Sequence, residues 1–443
     1  MVEANLQIIE ELKLFLEEVS QDPELRKLVT ENEGDFTRDR KLPMDRVAGM
    51  IINMPKRSLS IEIQEFFDDL SNGREDCTKG AFSTQRAKLQ PLFFKVWNHW
   101  LVKNFYRYYG ENVKCWRTFR LNAVDGSTAY LIDKKELADY FGTQDNQYVE
   151  TPMARIMQVQ DILNDITVWG DIYPIKESEQ AIIATRITQL PKDSITLFDR
   201  GYPSYALMYL MLNQEEPRHF LMRCKTNFNK IVAQFTASRK RSKIVQFFPD
   251  KAAIASLREQ GHIVTQNTGI SVRMVRITLS TGEDEILLTS LYDEKLYSLE
   301  DLKYLYGLRW GIETTYSKQK NQQQMEQFSG HRVICIQQDY LASLIVANLQ
   351  SLIEKQCESY LKKINKHRKY SYRINRNVSW ASLKFNIVRL FLQENTKEIL
   401  LQLQLAFERN IEPVRPGRQF PRIFKAKRRK GKFQTYTNHK RAI

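Results

Sequence analysis

What this chain has little of already narrows what it can do. Its five cysteines (Cys77, Cys115, Cys224, Cys335 and Cys357) are scattered singly, without the paired spacing of a zinc site or a disulfide framework. Its six histidines are equally dispersed, so any metal must be held by oxygen. Long apolar runs are missing too: Tyr205–Leu212 and Tyr340–Leu349 fall well short of the roughly 20 residues a spanning helix needs. The amino terminus, MVEANLQIIEELK, has acids where a secretion signal needs positive charge before an apolar block. A membrane role and export are therefore not expected, and the reading is a cytoplasmic chain. With 42% hydrophobic and 27% charged residues, the sequence can build a core, and 443 residues suggest two to four domains.

Charge is present but unevenly placed. The net charge is +15, yet residues 1–76 carry 18 acids against 10 bases. Two blocks contain no acid: Ser359–Gln393, with 9 bases, and Arg415–Ile443, with 11. The first mixes bases with aromatics in YLKKINKHRKYSYRINRNVSW. Such a block can neutralise phosphates and set rings against nucleic acid. A solvated face and a frayed tail are the ordinary alternative.

Up to about residue 112 the apolar spacing is helical: Leu6, Ile9, Leu12 and Phe15, then Val47, Met50 and Ile51, then Ile61, Phe66 and Leu70. The segment KGAFSTQRAKLQPLFFKVWNHW resembles the second half of a helix-turn-helix, with Ser83 as N-cap and Arg86 and Lys88 facing outward toward DNA. A plain core helix fits the same pattern equally well. From Trp116 the period becomes two, and the run LNAVDGS reads as a strand ending on Asp125 and a glycine turn. Further strands are expected at Arg155–Val159, Ile166–Trp169 and Ala181–Ile187. The strand SITLF then runs into Asp199-Arg200-Gly201-Tyr202-Pro203, with Pro203 in the first turn of the next helix. Asp125 and Asp199 thus stand at strand ends, where mixed α/β sheets place active-site groups. After HFLMRCK the character shifts to a basic, strand-rich stretch.

Ser298-Leu299-Glu300-Asp301 has the spacing of a capping box and opens a helix. On that helix Tyr306, Arg309, Glu313 and Lys320 fall within an arc of roughly 60°, with Trp310 beside them. Ordinary ion pairs between neighbours three and four apart would explain such a face. Set beside two strand-terminal aspartates, it also offers a third carboxylate. Three carboxylates suit Mg²⁺, which prefers oxygen ligands, and two such ions can serve both the attacking and the leaving oxygen of a phosphodiester. Paired carboxylates also serve sugar hydrolysis, but the Arg and Lys around Glu313 would there have no phosphate to balance.

The motifs LNAVDGSTAYLI, ITLFDRGYPS and YGLRWGIETTYSKQK resemble the DDE transposases of the insertion-sequence-4 family, whose signature is Tyr-x2-Arg-x3-Glu-x6-Lys. Tyr306, Arg309, Glu313 and Lys320 match it without a gap, and the likeness covers roughly residues 80–350. It implies an α/β fold: an RNase H-like mixed sheet flanked by helices, a β-strand insertion before the last catalytic helix, and an all-helical N-terminal domain. The expected parts are a helical DNA-binding domain at 1–112, a catalytic domain at 113–225 and 283–358, a β-rich insertion at 226–282, and a basic helical region and tail at 359–443. By the same resemblance Asp125, Asp199 and Glu313 hold two Mg²⁺ ions, with Mn²⁺ as a substitute. Tyr306, Arg309 and Lys320 grip phosphates, and Trp310 stacks on an extruded base. Some relatives hold a flipped base with an aromatic of the insertion. No Trp lies between Cys224 and Leu287 here, although Phe235, Phe247 and Phe248 do, so 3′-end nicking and strand transfer are expected rather than a hairpin route. The implied partners are double-stranded DNA, as transposon ends and target, and a second copy in a homodimer. The implied location is the nucleoid. A nuclease that cuts without joining, and a DNA-binding remnant without catalysis, are the rival readings.

Overall fold

The computed structural model describes residues 1–38, 40–53, 58–71, 75–145, 150–216, 218–279, 282–393 and 395–415. The basic tail expected to grip DNA lies almost wholly outside the described residues.

The chain opens with α1 (Val2–Gln21), α2 (Pro23–Leu28), α3 (Met44–Asn53), α4 (Leu59–Ser71), α5 (Lys79–Arg86) and α6 (Pro91–Tyr109), and a 3-10 turn at Gly110–Asn112. Helix α6 buries Phe93, Phe94, Trp97, Leu101 and Phe105, which makes it a core helix. Burial of such side chains contributes roughly 1.5–3 kcal/mol each. The Trp97 indole N–H is satisfied by the Leu12 carbonyl at 3.2 Å. The outward-reading helix-turn-helix is corrected at this point. The N-cap of α5 is Thr78, not Ser83, and Arg86 is buried.

Next come β1 (Arg120–Tyr130), α7 (Lys135–Phe141), β2 (Thr143–Asp145), β3 (Glu150–Asp161), β4 (Ile166–Pro174), α8 (Glu179–Ala184), β5 (Ser194–Phe198), α9 (Tyr205–Leu212) and β6 (His219–Cys224). They are followed by α10 (Lys230–Ala237), β7 (Ser242–Phe247), α11 (Lys251–Glu259), β8 (Ile270–Thr278), β9 (Asp284–Thr289), α12 (Leu299–Leu308), α13 (Trp310–Asn321) and α14 (Val333–Gln356). The described chain ends with α15 (Glu358–Asn365), β10 (Ser371–Ile374), α16 (Arg376–Leu392), α17 (Thr396–Arg409) and β11 (Ile411–Val414).

Among the described residues the main sheet has nine strands in the order β2-β3-β1-β5-β6-β9-β8-β7, with β4 also on β3. The pairs β1–β5 and β5–β6 are parallel, and β1–β3 and β3–β4 are antiparallel. This is the mixed, helix-flanked sheet expected of an RNase H-like fold. Its central strands are buried on both faces, as a covered parallel sheet requires. Ile195, Leu197 and Leu221 join the core shared with α6, α13 and α14, whereas Phe198, Phe220 and Met222 join the core under α8 and α9.

Four local expectations differ. Asp125 is not at a strand end: β1 runs on to Tyr130, paired with β3 throughout, because the antiparallel partner outlasts the parallel one. Ala181–Ile187 is helical, as α8 followed by a 3-10 turn at Ile187–Gln189. Ser204, rather than Pro203, adjoins the first turn of α9, and caps it. The stretch after Lys225 is half helical, with α10 and α11, and its strand β8 joins the main sheet through β9.

Candidate active site

The parallel register places Ala123 beside Leu197; on that face of the sheet Asp125 lies two residues further along β1, and Asp199 follows the end of β5 closely enough for its charge to act on Asp125. That face is the one covered by α13, whose Ile312 and Tyr316 lie in the same core. The helix is tied down across β1: the Tyr316 hydroxyl donates to the Asp125 carbonyl at 2.8 Å, and the Lys320 ammonium to the Thr128 carbonyl at 2.5 Å. A third tether joins Gln158 of β3, opposite Asp125, to Gln319 at 2.7 Å. Lys318 pairs with Asp165 in the β3–β4 turn at 2.7 Å, and Arg376 of α16 joins the same carboxylate at 3.1 Å. Burial opposes the charge of Asp165, but the two cations outweigh it and hold its pKa at about 2. The acid-bearing helix is thereby locked to the sheet and to the C-terminal helices.

Tyr306, Arg309, Glu313 and Lys320 do not lie on one helix. The capping box at Ser298 and Asp301 opens α12 as expected, but the helix breaks at Arg309 and restarts as α13. Close approach to the sheet accompanies the break: a Cβ on Gly311 would lie 2.7 Å from the Ile162 side chain. Arg309 at the joint is buried, and its guanidinium donates to the Glu313 carboxylate at 2.8 Å. Burial disfavours that charge, yet Tyr306, Glu313 and Asp125 act together to raise its pKa above the ordinary value. Two polar atoms here have no hydrogen-bond partner, the Tyr306 hydroxyl and the Arg309 Nε. Burial pushes the Tyr306 phenol up to about 12. Trp310 is 55% exposed, with the Arg309 guanidinium 5.1 Å from its ring.

The sequence reading missed Glu179. From the first turn of α8, its carboxylate lies over Gly126, where an added Cβ would come within 2.3–2.7 Å of it. It accepts hydrogen bonds from Arg155 and, at 2.7 Å, from the Tyr202 hydroxyl. The side-chain-free residue after Asp125 is what admits this acid. Burial first, then Glu179 and Asp199, push the Asp125 carboxyl up to about 7 against the opposing pull of Arg309.

The sign follows for stability. A carboxyl raised on folding binds its proton more tightly in the folded state, so its contribution is full below about pH 4 and is lost as pH rises through about 7. In the metal-free protein Asp125→Asn is therefore expected to raise the melting temperature at pH 8 and to flatten its fall between pH 4 and 7. A melting series in EDTA checks this; an identical pH profile for the variant would refute it.

Arg86 and Lys88 both have acidic partners. Arg86 pairs with Asp339 of α14 at 2.7 Å and donates to Gln338, Ser329 and the Cys335 carbonyl. Lys88 is partly exposed and pairs with Asp35 at 3.2 Å. Of the insertion's phenylalanines, Phe235 and Phe247 are buried, and Phe248 is 56% exposed. Among the described residues no group of three or more His, Cys, Asp or Glu is gathered closely enough to hold a metal ion; Glu313 is engaged by Arg309. The donors themselves suit a hard cation: Asp125 and Asp199 offer oxygen atoms, and burial first, then Glu179 and Asp199, leave Asp125 hard to ionise. No described helix is long and apolar enough to cross a membrane.

Comparison with known proteins agrees in part with the motifs. Residues 163–349, which include Asp199 and Glu313 but not Asp125, match the family described as "Transposase DDE domain". A stretch of 191 residues, 42% of this chain, is 26% identical to the Escherichia coli (strain K12) protein named "Putative transposase InsZ" and covers 62% of its length. A solved structure of the piggyBac transposase synaptic complex with hairpin DNA is similar over 91% of this chain and 78% of that one, at 11% identity and a TM-score of 0.42, too low to carry function across. The chain thus spans less than two thirds of the curated relative it matches, and the two sequence matches support a DDE transposase.

Proposed function

We propose that this chain is a transposase of the insertion-sequence-4 type that nicks DNA at the ends of its element and joins the freed 3′ hydroxyl to target DNA. The observation that supports it most is the parallel pairing of β1 with β5, with Asp125 within reach of the charges of Asp199 and of Arg309, the buried partner of Glu313.

In this reading Asp125, Asp199 and Glu313 hold Mg²⁺, or Mn²⁺ in its place. When bound, the ions supply an activated attacking oxygen and charge stabilisation of the leaving oxygen. The chain's own residues do the rest. Arg309 has an uncommitted Nε and Tyr306 an uncommitted hydroxyl, both suited to phosphate oxygens. DNA binding would draw Arg309 toward phosphate and release Glu313 toward the aspartates. Lys320 acts from its tether on Thr128, and exposed Trp310 offers a ring for an unstacked base. Two copies would bring two ends together. The exposed bases Lys362, Lys363, Lys366, Arg368 and Lys369 around Tyr370 add sequence-independent grip, with Arg368 lying over the Tyr372 ring.

The test uses DNA carrying the inverted repeats that flank the gene, with a supercoiled plasmid as target, in Mg²⁺. Nicked ends and end-to-plasmid joints are both expected. Nicks without joints would instead mark a nuclease, and neither product, with DNA binding intact, a remnant.

A further inference from the structure

The parallel pairing of β1 with β5 continues to β6, where Leu197 pairs with Leu221 and Phe198 with Met222. Asp199 follows the end of β5, and Arg223 stands next to Met222 on β6. Beyond Asp199 is a cavity of about 340 Å³ lined by Arg200, Arg223, Lys225, Thr226, Asp284 and Glu285 among others. It lies at the carboxyl ends of β5 and β6, the edge of a parallel sheet where ligands are received.

The charges of this cavity do not cancel internally. Glu285 is taken by Arg223 at 2.6 Å, and Asp284 by the Thr278 hydroxyl at 2.7 Å and by Arg276 at 3.7 Å. Among the described residues, exposed Arg200 and Lys225 have no acidic partner. Tyr306 of α12 feels Arg223, Glu285 and Asp199. It is 6% exposed and its hydroxyl has no partner. A buried donor without an acceptor is costly, and two cations at the cavity without an acidic partner call for an anion.

We infer that this cavity is a phosphate subsite for the nucleotide adjoining the one at Asp199, held by Arg200 and Lys225, with Arg223 kept in place by Glu285. The inference rests on the reading of the chain as a DNA-acting enzyme, and it assigns this side of the sheet to the DNA backbone rather than to a base. Arg200, Lys225, Thr226 and Asn227 supply donors for an oxyanion, and the lining holds no aromatic side chain for a base to stack on.

The experiment measures binding of a fluorescein-labelled duplex of arbitrary sequence to the full chain in EDTA, by fluorescence polarisation across a salt series. Arg200→Ala/Lys225→Ala is compared with wild type and with Lys27→Ala/Arg107→Ala, which removes equal charge elsewhere. The cavity variant is expected to flatten the slope of log affinity against log salt by about 1, the value for one lost phosphate contact, while the control stays at the wild-type slope. A cavity variant with the wild-type slope, or a control that flattens as much, overturns the subsite while leaving DNA binding itself intact. If the wild type shows no salt-dependent binding, the underlying reading falls and the subsite with it.

Discussion

Asp125→Asn is expected to reduce DNA nicking by roughly 10³-fold, the order lost when one group acting directly at the reacting centre is removed, while DNA binding stays within a few-fold of wild type. Asparagine keeps the shape of the side chain and one oxygen but loses the charge that a cation would meet. The fold should tolerate it well, because the aspartate is a burden to the empty protein: burial, Glu179 and Asp199 all disfavour its ionised form. Loss of turnover together with a gain in metal-free stability above pH 7 is a pairing that general damage to the structure cannot produce. A single-turnover nicking assay and a polarisation titration on the same preparations check both halves. Nicking within tenfold of wild type would remove Asp125 from the chemistry.

The largest effect on stability is expected from Arg86→Ala. The side chains of Arg86 and Asp339 are 4% and 2% exposed and pair at 2.7 Å. Removing one partner of such a buried pair costs about 3–5 kcal/mol. Asp339 would keep its bonds from Ser329 but lose the Arg86 guanidinium. Urea unfolding should show the midpoint falling sharply. The double change Arg86→Met/Asp339→Leu should recover part of the loss, since it removes the buried carboxylate together with the guanidinium, while buried Glu62, which also feels Arg86, remains. If Arg86 instead acted on DNA from an exposed face, Arg86→Ala would weaken DNA binding and leave unfolding unchanged.

Arg86 also shows where the sequence stopped being legible. A base on a short helix reads as outward-facing because bases usually are. Its partner Asp339 is 253 residues away, inside the apolar helix α14, and nothing local announces the pairing. Asp199 and Glu313 were legible for the opposite reason. An apolar strand running into an acid and a turn, and a capped helix with a fixed polar spacing, are local patterns. Asp125 was found by its motif, but its strand was cut short in the reading, because its continuation to Tyr130 depends on pairing with β3 rather than on alternation within β1. Glu179 was hidden by its neighbours: the run AIIATRI looks like a buried strand, and a short apolar run cannot be told from a buried helix by periodicity alone. The break at Arg309 escaped the helical-wheel arithmetic, which assumes one straight helix. Gly307 and Gly311 on either side were the available signal.

These differences bear on how the site works. A straight helix would spread Tyr306, Arg309, Glu313 and Lys320 along one stripe. Across the joint Arg309, still in helical backbone, keeps its pair with Glu313 four residues on, so the third acid is held by an internal cation. Glu179, itself paired with Arg155, adds a negative charge near Asp125.

The central claim is that Asp125, Asp199 and Glu313 act on DNA through a divalent cation. The rate of 3′-hydroxyl formation at an element end, measured across a Mg²⁺ titration for wild type and Glu313→Gln, tests it most directly. A rate that rises from zero to saturation with Mg²⁺ in the wild type, and stays near background at every concentration in Glu313→Gln, is the expected result. A rate independent of Mg²⁺, or the same Mg²⁺ dependence and plateau in Glu313→Gln, would contradict it.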